Sequence, residues 1–547
     1  MAERKEMPLW GWGDAEHSRE VPLGAAENLS GELGFAAGTD VVARRIEDFD
    51  LAAPVLSPEL LERLSSMVPT GSVSTEPWLR LLRAAGKSYA DAVRMRAGRP
   101  GDAPDAVVTP GEEEEIAGVL QLCSELRIAV VPFGGGTSVV GGLSTIRKDF
   151  IGSISLDLGA LSGLVSVDKD SLLATFRPGT KGPEAEALLK PYGLTVGHFP
   201  QSFEYASIGG FVATRSAGQS STGYGRIDRN VMGLKVTTPT GRIELAPMPG
   251  SAAGPDLRQL LIGSEGTLGV IDEVTLRVHP SPASMVDRAW IAPDFETGRE
   301  VLRLIEQDGC APDVARLSDE RETEVNLLLA GDSLAVKLLR RYLRLRRRSN
   351  GCLMITCFEG ESVDVARRSQ RASALMRKHH CLSLGSRVAK GWRKGRFAGP
   401  YIRDSLMDGG LFVETLETAS NWSNLGRLYD AVRTELQGEL EKEGGTPVVM
   451  CHVSHLYPTG ASLYFTFAGK QPYDSVEERL ALWQRVKGAA CDAIRASGGT
   501  ITHHHAVGTD HAPWLEDEIG AAGIRLLKAA KAELDPVGIM NPGRLMN

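Results

Sequence analysis

Pro132-Phe133-Gly134-Gly135-Gly136-Thr137-Ser138 is the stretch on which the fold turns. It follows Ile128–Phe133, a run of strand formers. Three glycines after a strand can turn their N–H groups inward as an anion nest, and Thr137 and Ser138 add hydroxyl donors. Two familiar phosphate loops are excluded. No Lys-Ser or Lys-Thr pair follows the glycines, and Val139 stands where GxGxxG requires its last glycine. A P-loop nucleotidase and a Rossmann dehydrogenase both lose support. On its own, the loop reads as a tight turn without a ligand.

It does not stand on its own. Upstream, Thr109-Pro110-Gly111-Glu112 reads as a capping box with proline at the first helical position. Ile116, Val119, Leu120, Cys123 and Leu126 then recur at helical spacing. Downstream, Ile151–Leu156, Leu172–Arg177 and Val231–Thr238 read as strands, the last turning at Pro239-Thr240-Gly241 into Arg242–Leu245. Gly269–His279 is a further strand, stopped by Pro280. Among these lie three segments rich in small residues. The first, Gln201-Ser202-Phe203-Glu204-Tyr205-Ala206-Ser207, precedes Gly209-Gly210. The second is Thr214-Arg215-Ser216-Ala217-Gly218 and the third Gly263-Ser264-Glu265-Gly266-Thr267-Leu268-Gly269-Val270-Ile271. Small residues let a backbone approach a ligand closely. Three such segments after one glycine loop fit a large, extended cofactor better than a lone phosphate.

With these segments in place, Asp105–His279 resembles the FAD-binding domain of the vanillyl alcohol oxidase and para-cresol methylhydroxylase (PCMH) family. PFGGGTS is similar to that family's diphosphate loop, and IGSEGTLGVI to its isoalloxazine- and adenine-side strand. LDPVGIMNPG at 534–543 resembles its C-terminal signature. The resemblance implies an α+β fold with a two-subdomain, PCMH-type FAD-binding domain over residues 99–282. It also implies an α/β cap domain for substrate over 283–497, a mostly helical segment over 1–98, and a C-terminal segment over 498–547 that completes the active site. The residues it assigns to FAD are Pro132, Phe133, Gly134, Gly135, Gly136, Thr137, Ser138, Gln201, Ser202, Ser207, Thr214, Arg215, Ser216, Ala217, Glu265, Gly266, Thr267, Leu268, Gly269, Val270 and Ile271. Covalent members use a histidine or cysteine near the flavin. The loop here has Thr137 and no histidine, so the expectation is non-covalent FAD, with His198 the nearby alternative.

Two branches of the family fit the second half. One oxidises D-2-hydroxy acids and carries HxGDGNxH, a metal-binding stretch, and a later SGEHGIG. The other comprises the alkyldihydroxyacetonephosphate synthases. Here Cys451–Phe465 lacks the GDGN core, and Tyr464 stands where the second metal histidine would be. His452 and His455 have no carboxylate near them in sequence, so they read as a polar face of the cap and no metal is expected. In Gly498–Gly508, His504 replaces the glutamate of SGEHG, between His503 and His505. On an extended segment, His503 and His505 would share one face and His504 the other. The synthase branch shares the three histidines and the tyrosine. Its phosphate-binding arginine lies in a segment like Tyr401-Ile402-Arg403-Asp404, and a second arginine in one like Ala315-Arg316-Leu317. Gly11-Trp12-Gly13 is also shared, whereas Ala506 departs from a family glycine.

The resemblance thus implies exchange of the acyl group of acyl-dihydroxyacetone phosphate for a fatty alcohol, an ether-lipid reaction using FAD without net redox. Tyr464, His503, His504 and His505 are the expected catalytic residues, and Arg403 and Arg316 the expected substrate-binding ones. A free tyrosine has a pKa of about 10, so cationic imidazoles beside Tyr464 are expected to favour its phenolate. The alternative is an FAD-dependent oxidoreductase of 2-hydroxy acids or other alcohols.

Composition narrows the partners. The 547 residues carry a net charge of −8, which removes any general case for nucleic acid. Seven cysteines without a CxxC pair suggest reduced thiols. With no apolar signal region and no apolar run of about 20 residues, the expectation is a cytoplasmic protein with small lipid-like substrates. A homodimer is compatible with the sequence. Lys337, Arg340, Arg341, Arg344, Arg346, Arg347 and Arg348 form one basic run. Its plain reading is a solvated helix face, and its sharper reading is peripheral contact with an anionic membrane.

Overall fold

The computed structural model describes residues 6–17, 21, 23–36, 45–147, 149–331 and 333–546. The glycine loop ends the edge strand of a four-stranded sheet. Ile128–Phe133, Gly152–Asp157 and Ala106–Thr109 run parallel, and Ser72–Ser74 pairs antiparallel with the last of these. Strands covered on both faces read as continuous apolar runs, and Ile128, Ala129, Val130 and Val131 are all buried. The helix Glu114–Leu126 packs Ile116, Val119, Leu120 and Cys123 into the same core. Its start differs from the capping box read in the sequence. Glu113 occupies the cap position and makes no side-chain cap. Glu115 gathers the loose donors instead, accepting from Gly111 N at 2.8 Å, Thr70 N at 2.8 Å and Thr70 Oγ1 at 2.7 Å.

A five-stranded antiparallel sheet backs a second core, in the order Leu164–Asp168, Leu173–Phe176, Val270–Arg277, Val231–Thr238, Gly241–Leu245. The hairpin after Thr238 forms as read, with Thr238 opposite Gly241. Val270–Arg277 ties the two subdomains together, since Val270 lies in the first core and Ile271 in the second. The third small-residue segment, Gly263–Ile271, runs into the Val270–Arg277 strand of this sheet. The C-terminal signature docks on the first core, where Val130 N donates to Ile539 O and Asn541 N to Val130 O, both at 2.8 Å.

The largest core belongs to a seven-stranded antiparallel sheet. Its order is Leu382–Gly385, Ser284–Ala292, Cys352–Gly360, Val314–Ser318, Val448–Tyr457, Gly460–Lys470, Leu411–Asn421. The sequence reads this region as helices alternating with short strands, yet five of the strands run 9 to 11 residues. Buried polar residues on both faces, such as Glu414 on one and Glu417 and His452 on the other, break the apolar alternation and disguise their length. Register sets Glu417 opposite Tyr464, Tyr464 opposite His452, and His452 opposite Ser318. Residues directly opposite one another share a face, so this row forms one continuous polar floor. No helix among the described residues is long and apolar enough to cross a membrane.

Candidate active site

The glycine loop is shaped by its neighbour. A side chain at Gly135 would meet the Tyr205 carbonyl and, at 2.7 Å, Ala206 Cα, while Gly136 has φ +70°. The loop therefore lies directly on the Tyr205–Ser207 segment, and glycine is required by protein packing as well as by any ligand. Among the described residues, the N–H groups of Gly135, Gly136 and Thr137 donate to no protein acceptor. Unclaimed successive N–H groups are what an anion nest offers, so the loop fits a diphosphate.

The other segments expected to hold the cofactor pack around this loop: a side chain at Gly134 would meet Ser207 and one at Gly266 would meet Pro132, and Glu265 N donates to Ala213 O at 2.9 Å. Ser138 is tied down, its carbonyl accepting from Lys87 N at 2.6 Å and its Oγ from Gly142 N at 3.1 Å. Ser207 caps the Ile208–Ala213 helix through Gly210 N, and Thr214 Oγ1 donates to Gly210 O. Gln201 is bonded to Gln219, and Ser202 O accepts from Tyr205 N and Ala206 N. Arg215 turns its guanidinium to Gln259 and Ile262, so it offers the cleft backbone only. Ser216 Oγ is held by His198 Nε2 at 2.6 Å. Thr267, Leu268, Val270 and Ile271 bury their side chains, and Ala217 is buried as well. Gly266 and Gly269 take positive φ. The cleft is thus built from backbone and small side chains, as an extended cofactor requires.

Across it stands the histidine loop, and here the structure corrects the sequence reading. Residues 502–506 do not form a strand. Three successive N–H groups, from His503 (2.6 Å), His504 (3.1 Å) and His505 (2.9 Å), converge on the carboxylate of Glu417. Thr502 Oγ1 adds a fourth bond at 2.6 Å. Wrapping the backbone around one anion abolishes the alternation of an extended chain, so the three rings cluster instead of dividing between two faces. Tyr464 stacks on His504 (centroids 6.0 Å apart) and meets His505 edge-on (5.5 Å). His503 Nε2 lies 2.6 Å from Tyr457 Oη, and His503 Nδ1 lies 3.0 Å from His504 Nδ1. Further along, Val507 N and Gly508 N donate to Glu265 at 2.8 Å each. Between the two carboxylates, Ala506 adopts φ +74°.

Electrostatics brings a second correction. Burial depresses His503 and His504 well below the usual histidine range, and lowers His505 as well. His455 falls to about 4 for the same reason. The imidazoles beside Tyr464 are therefore neutral near pH 7, and no imidazolium favours its phenolate. Burial pushes Tyr464 up to about 12, with Thr415 and Arg403 opposing. Burial also pushes Glu417 up, but the adjoining histidines and the Thr502 hydrogen bond outweigh it, and the carboxyl sits well below its usual range. Ring nitrogens of His455, His503 and His504 lie within 4.8 Å of one another. Both nitrogens of His455 and of His503 already carry hydrogen bonds, so the cluster is organised as a hydrogen-bond network.

The two arginines arrive from different elements. Arg403, on the Gly399–Asp408 helix, donates to Lys87 O at 2.9 Å. Its buried Nε has no partner among the described residues. The Gly-Trp-Gly motif holds this helix: Trp12 N donates to Asp404 Oδ2 at 2.6 Å, and Asp14 N to Tyr401 Oη at 3.2 Å. Arg316 donates to Glu322 Oε1 at 2.8 Å and to His452 Nε2 at 2.9 Å, while His452 Nδ1 lies 3.0 Å from the same Glu322 oxygen. His452 in turn stacks on Tyr464 at 5.0 Å. Glu322 is the carboxylate that sequence proximity does not reveal. Glu417, Tyr457 and Arg226, which donates to His503 O at 2.9 Å, also escape the sequence reading. Their one local signal is a glutamate inside a strand, a residue strands disfavour.

Comparison with known proteins agrees with this architecture. A family model described as "FAD binding domain" matches residues 104–246, and one described as "FAD linked oxidases, C-terminal domain" matches 282–545. The cofactor is FAD. An alkyldihydroxyacetonephosphate synthase of Dictyostelium discoideum is 32% identical over 92% of this chain and 83% of its own length. One of Caenorhabditis elegans is 32% identical over 95% and 88%. A solved alkyldihydroxyacetonephosphate synthase superposes with a TM-score of 0.84, at 27% identity, covering 98% of both chains. The chain belongs to the alkyldihydroxyacetonephosphate synthase family of FAD-binding proteins.

Proposed function

We propose that this enzyme exchanges the acyl group of acyl-dihydroxyacetone phosphate for a fatty alcohol, releasing a fatty acid, with no net redox at the flavin. The observation that carries the reading is the convergence of Tyr464, His503, His504 and His505 on the face of the cap sheet that meets the glycine-rich segments, with Arg316 held by His452 of the same row and the charge of Arg403 acting on Tyr464. His455 Nε2, on that face, lies 2.9 Å from Gly218 O in the cleft. Non-covalent FAD would be held by the Gly134–Ser138 loop and the small-residue segments, and would supply the reactive isoalloxazine ring. Arg403 has donors to spare for a phosphate dianion, which guanidinium binds as a planar fork. Arg316 is held by Glu322 and His452, and presents a second cation beside His452, the ring that stacks on Tyr464. Neutral imidazoles can take the proton of the entering alcohol and return it to the departing carboxylate, so the exchange needs no net proton.

The same FAD scaffold serves oxidation of D-2-hydroxy acids, the second reading. Tyr464 and His504 replace two groups that branch carries, which disfavours it. Anaerobic mixing separates the two readings. Acyl-dihydroxyacetone phosphate with fatty alcohol should leave the flavin yellow at the end of turnover. Bleaching by a 2-hydroxy acid, with no product from the lipid substrates, would transfer the assignment to the oxidoreductase.

We also infer that the enzyme works while resting peripherally on an anionic membrane. Lys337, Arg340, Arg341 and Arg344 of the basic run lie on the Leu334–Leu345 helix, on which Leu334, Leu338 and Leu345 are 74%, 56% and 73% exposed. A purely solvated face has no reason to expose three leucines among arginines. Apolar side chains flanked by cations are the pattern of a helix lying in a lipid interface.

A further inference from the structure

Glu417 is a fully buried carboxylate, on the central row of the cap sheet, directly opposite Tyr464. Four donors from one loop satisfy it, three of them the successive N–H groups of the expected catalytic histidines. Holding that backbone requires only an acceptor. The ring geometry asks for more. His504 Nδ1 lies 3.4 Å from Glu417 Oε2 and 3.0 Å from His503 Nδ1. Two neutral rings facing each other through Nδ1 share one proton between those atoms. Were it on His503, the bare Nδ1 lone pair of His504 would face an anion. With it on His504, the N–H points between the carboxylate and His503, and both contacts become attractive. His503 then keeps its own proton on Nε2, facing the Tyr457 oxygen 2.6 Å away.

From this geometry we propose that Glu417 is a positioning residue that fixes the proton of His504 on Nδ1, leaving its Nε2 lone pair as the proton acceptor of the site. The assignment deepens the transferase reading and rests on it only for the use made of that lone pair. The orientation of a histidine is commonly set by the partner of its other nitrogen, and here the partner is a charge with no access to water. Other groups around the three rings are Tyr464 on its strand, His452, His455 and Tyr457 on the Val448–Tyr457 strand, Arg226 at the His503 carbonyl, and Lys487, whose charge acts on His505. Among these, Glu417 is the anion within 4 Å of both His504 and His505.

The test uses the holoenzyme labelled with ¹⁵N-histidine, without substrate, with His504→Gln to assign the signal. In the wild type His504 should show the Nδ1–H tautomer. Glu417→Gln should move it to Nε2–H or to a mixture, and Glu417→Asp should restore Nδ1–H at least in part. In the exchange assay Glu417→Gln should retain FAD and lose about 100-fold in rate, a loss typical of an impaired proton acceptor. The acid limb of its pH profile should move to lower pH, because the ring loses a nearby anion. An Nε2–H tautomer for His504 in the wild type overturns the proposal, whether or not Glu417→Gln folds. So does Glu417→Gln with lowered rate but unchanged tautomer and pH profile, the signature of a purely structural role. If the wild type catalyses no exchange yet His504 follows Glu417 as described, the transferase reading fails and the tautomer assignment stands.

Discussion

At the scale of single residues, Tyr464 carries the sharpest expectation. The residue is half-buried, its hydroxyl is pushed up to about 12 by desolvation, and neutral imidazoles flank it. Tyr464→Phe keeps the ring that stacks between His452 and His504, so fold and FAD content should persist. Turnover should fall by about 100-fold or more, as for loss of a group that moves a proton. Rates within a few-fold of wild type, measured at matched flavin content, would remove the tyrosine from the chemistry. Its candidacy as a site residue was legible because it stands where a related branch carries a histidine. Its environment was not. The same holds for Ala506, whose departure from glycine was visible in sequence and whose φ of +74° shows what the departure costs: a left-handed backbone without glycine, of order 1 kcal/mol. Glu417 was illegible because it lies more than 80 residues from the histidine loop it holds, and Glu322 because it lies 130 residues from His452. Nothing in spacing or periodicity encodes such a pairing.

At the scale of elements, periodicity located six FAD-side strands to within a residue or two, among them the hairpin after Thr238, and missed Ser72–Ser74, Ala106–Thr109 and Leu164–Asp168. It failed where inward positions were polar, as in the long cap strands, and where one carboxylate bent a run of backbone, as in the histidine loop. The Leu334–Leu345 helix shows a third limit: the charge run was plain, whereas the exposure of its leucines depends on what packs nearby. If the helix docks on lipid, Leu338→Glu with Leu345→Glu should lower co-sedimentation with phosphatidylserine-containing vesicles at least tenfold. Activity on short-chain soluble substrates should be unchanged. Equal sedimentation of variant and wild type would return the helix to a solvated face.

At the scale of the whole molecule, two buried carboxylates join the cap sheet, the histidine loop and the FAD cleft, with Glu417 on one side of Ala506 and Glu265 on the other. Proton linkage should register this burial. His198 is depressed to about 3, and His279, His455 and His511 to about 4, in each case by burial. These groups lend stability above the unfolded histidine pKa, and it is lost as pH falls from about 6.5 toward 4. Glu265 and Asp319, each raised to about 7 by burial, act in the opposite sense and favour the fold on acidification. His503, His504 and His505 are shifted in the same direction as these four histidines, so the balance is a loss of stability on acidification. The melting temperature, followed by flavin fluorescence, should therefore fall between pH 7 and pH 5, and a rise over that range would contradict the protonation states assigned here. The central claim, transfer without net redox, has a more direct test. Labelled fatty alcohol is incubated anaerobically with holoenzyme and acyl-dihydroxyacetone phosphate, with no electron acceptor present. Label should enter alkyl-dihydroxyacetone phosphate over many turnovers, with one fatty acid released per alkyl product and the flavin oxidised at the end. No incorporation by an enzyme whose flavin is reduced by a 2-hydroxy acid would contradict it.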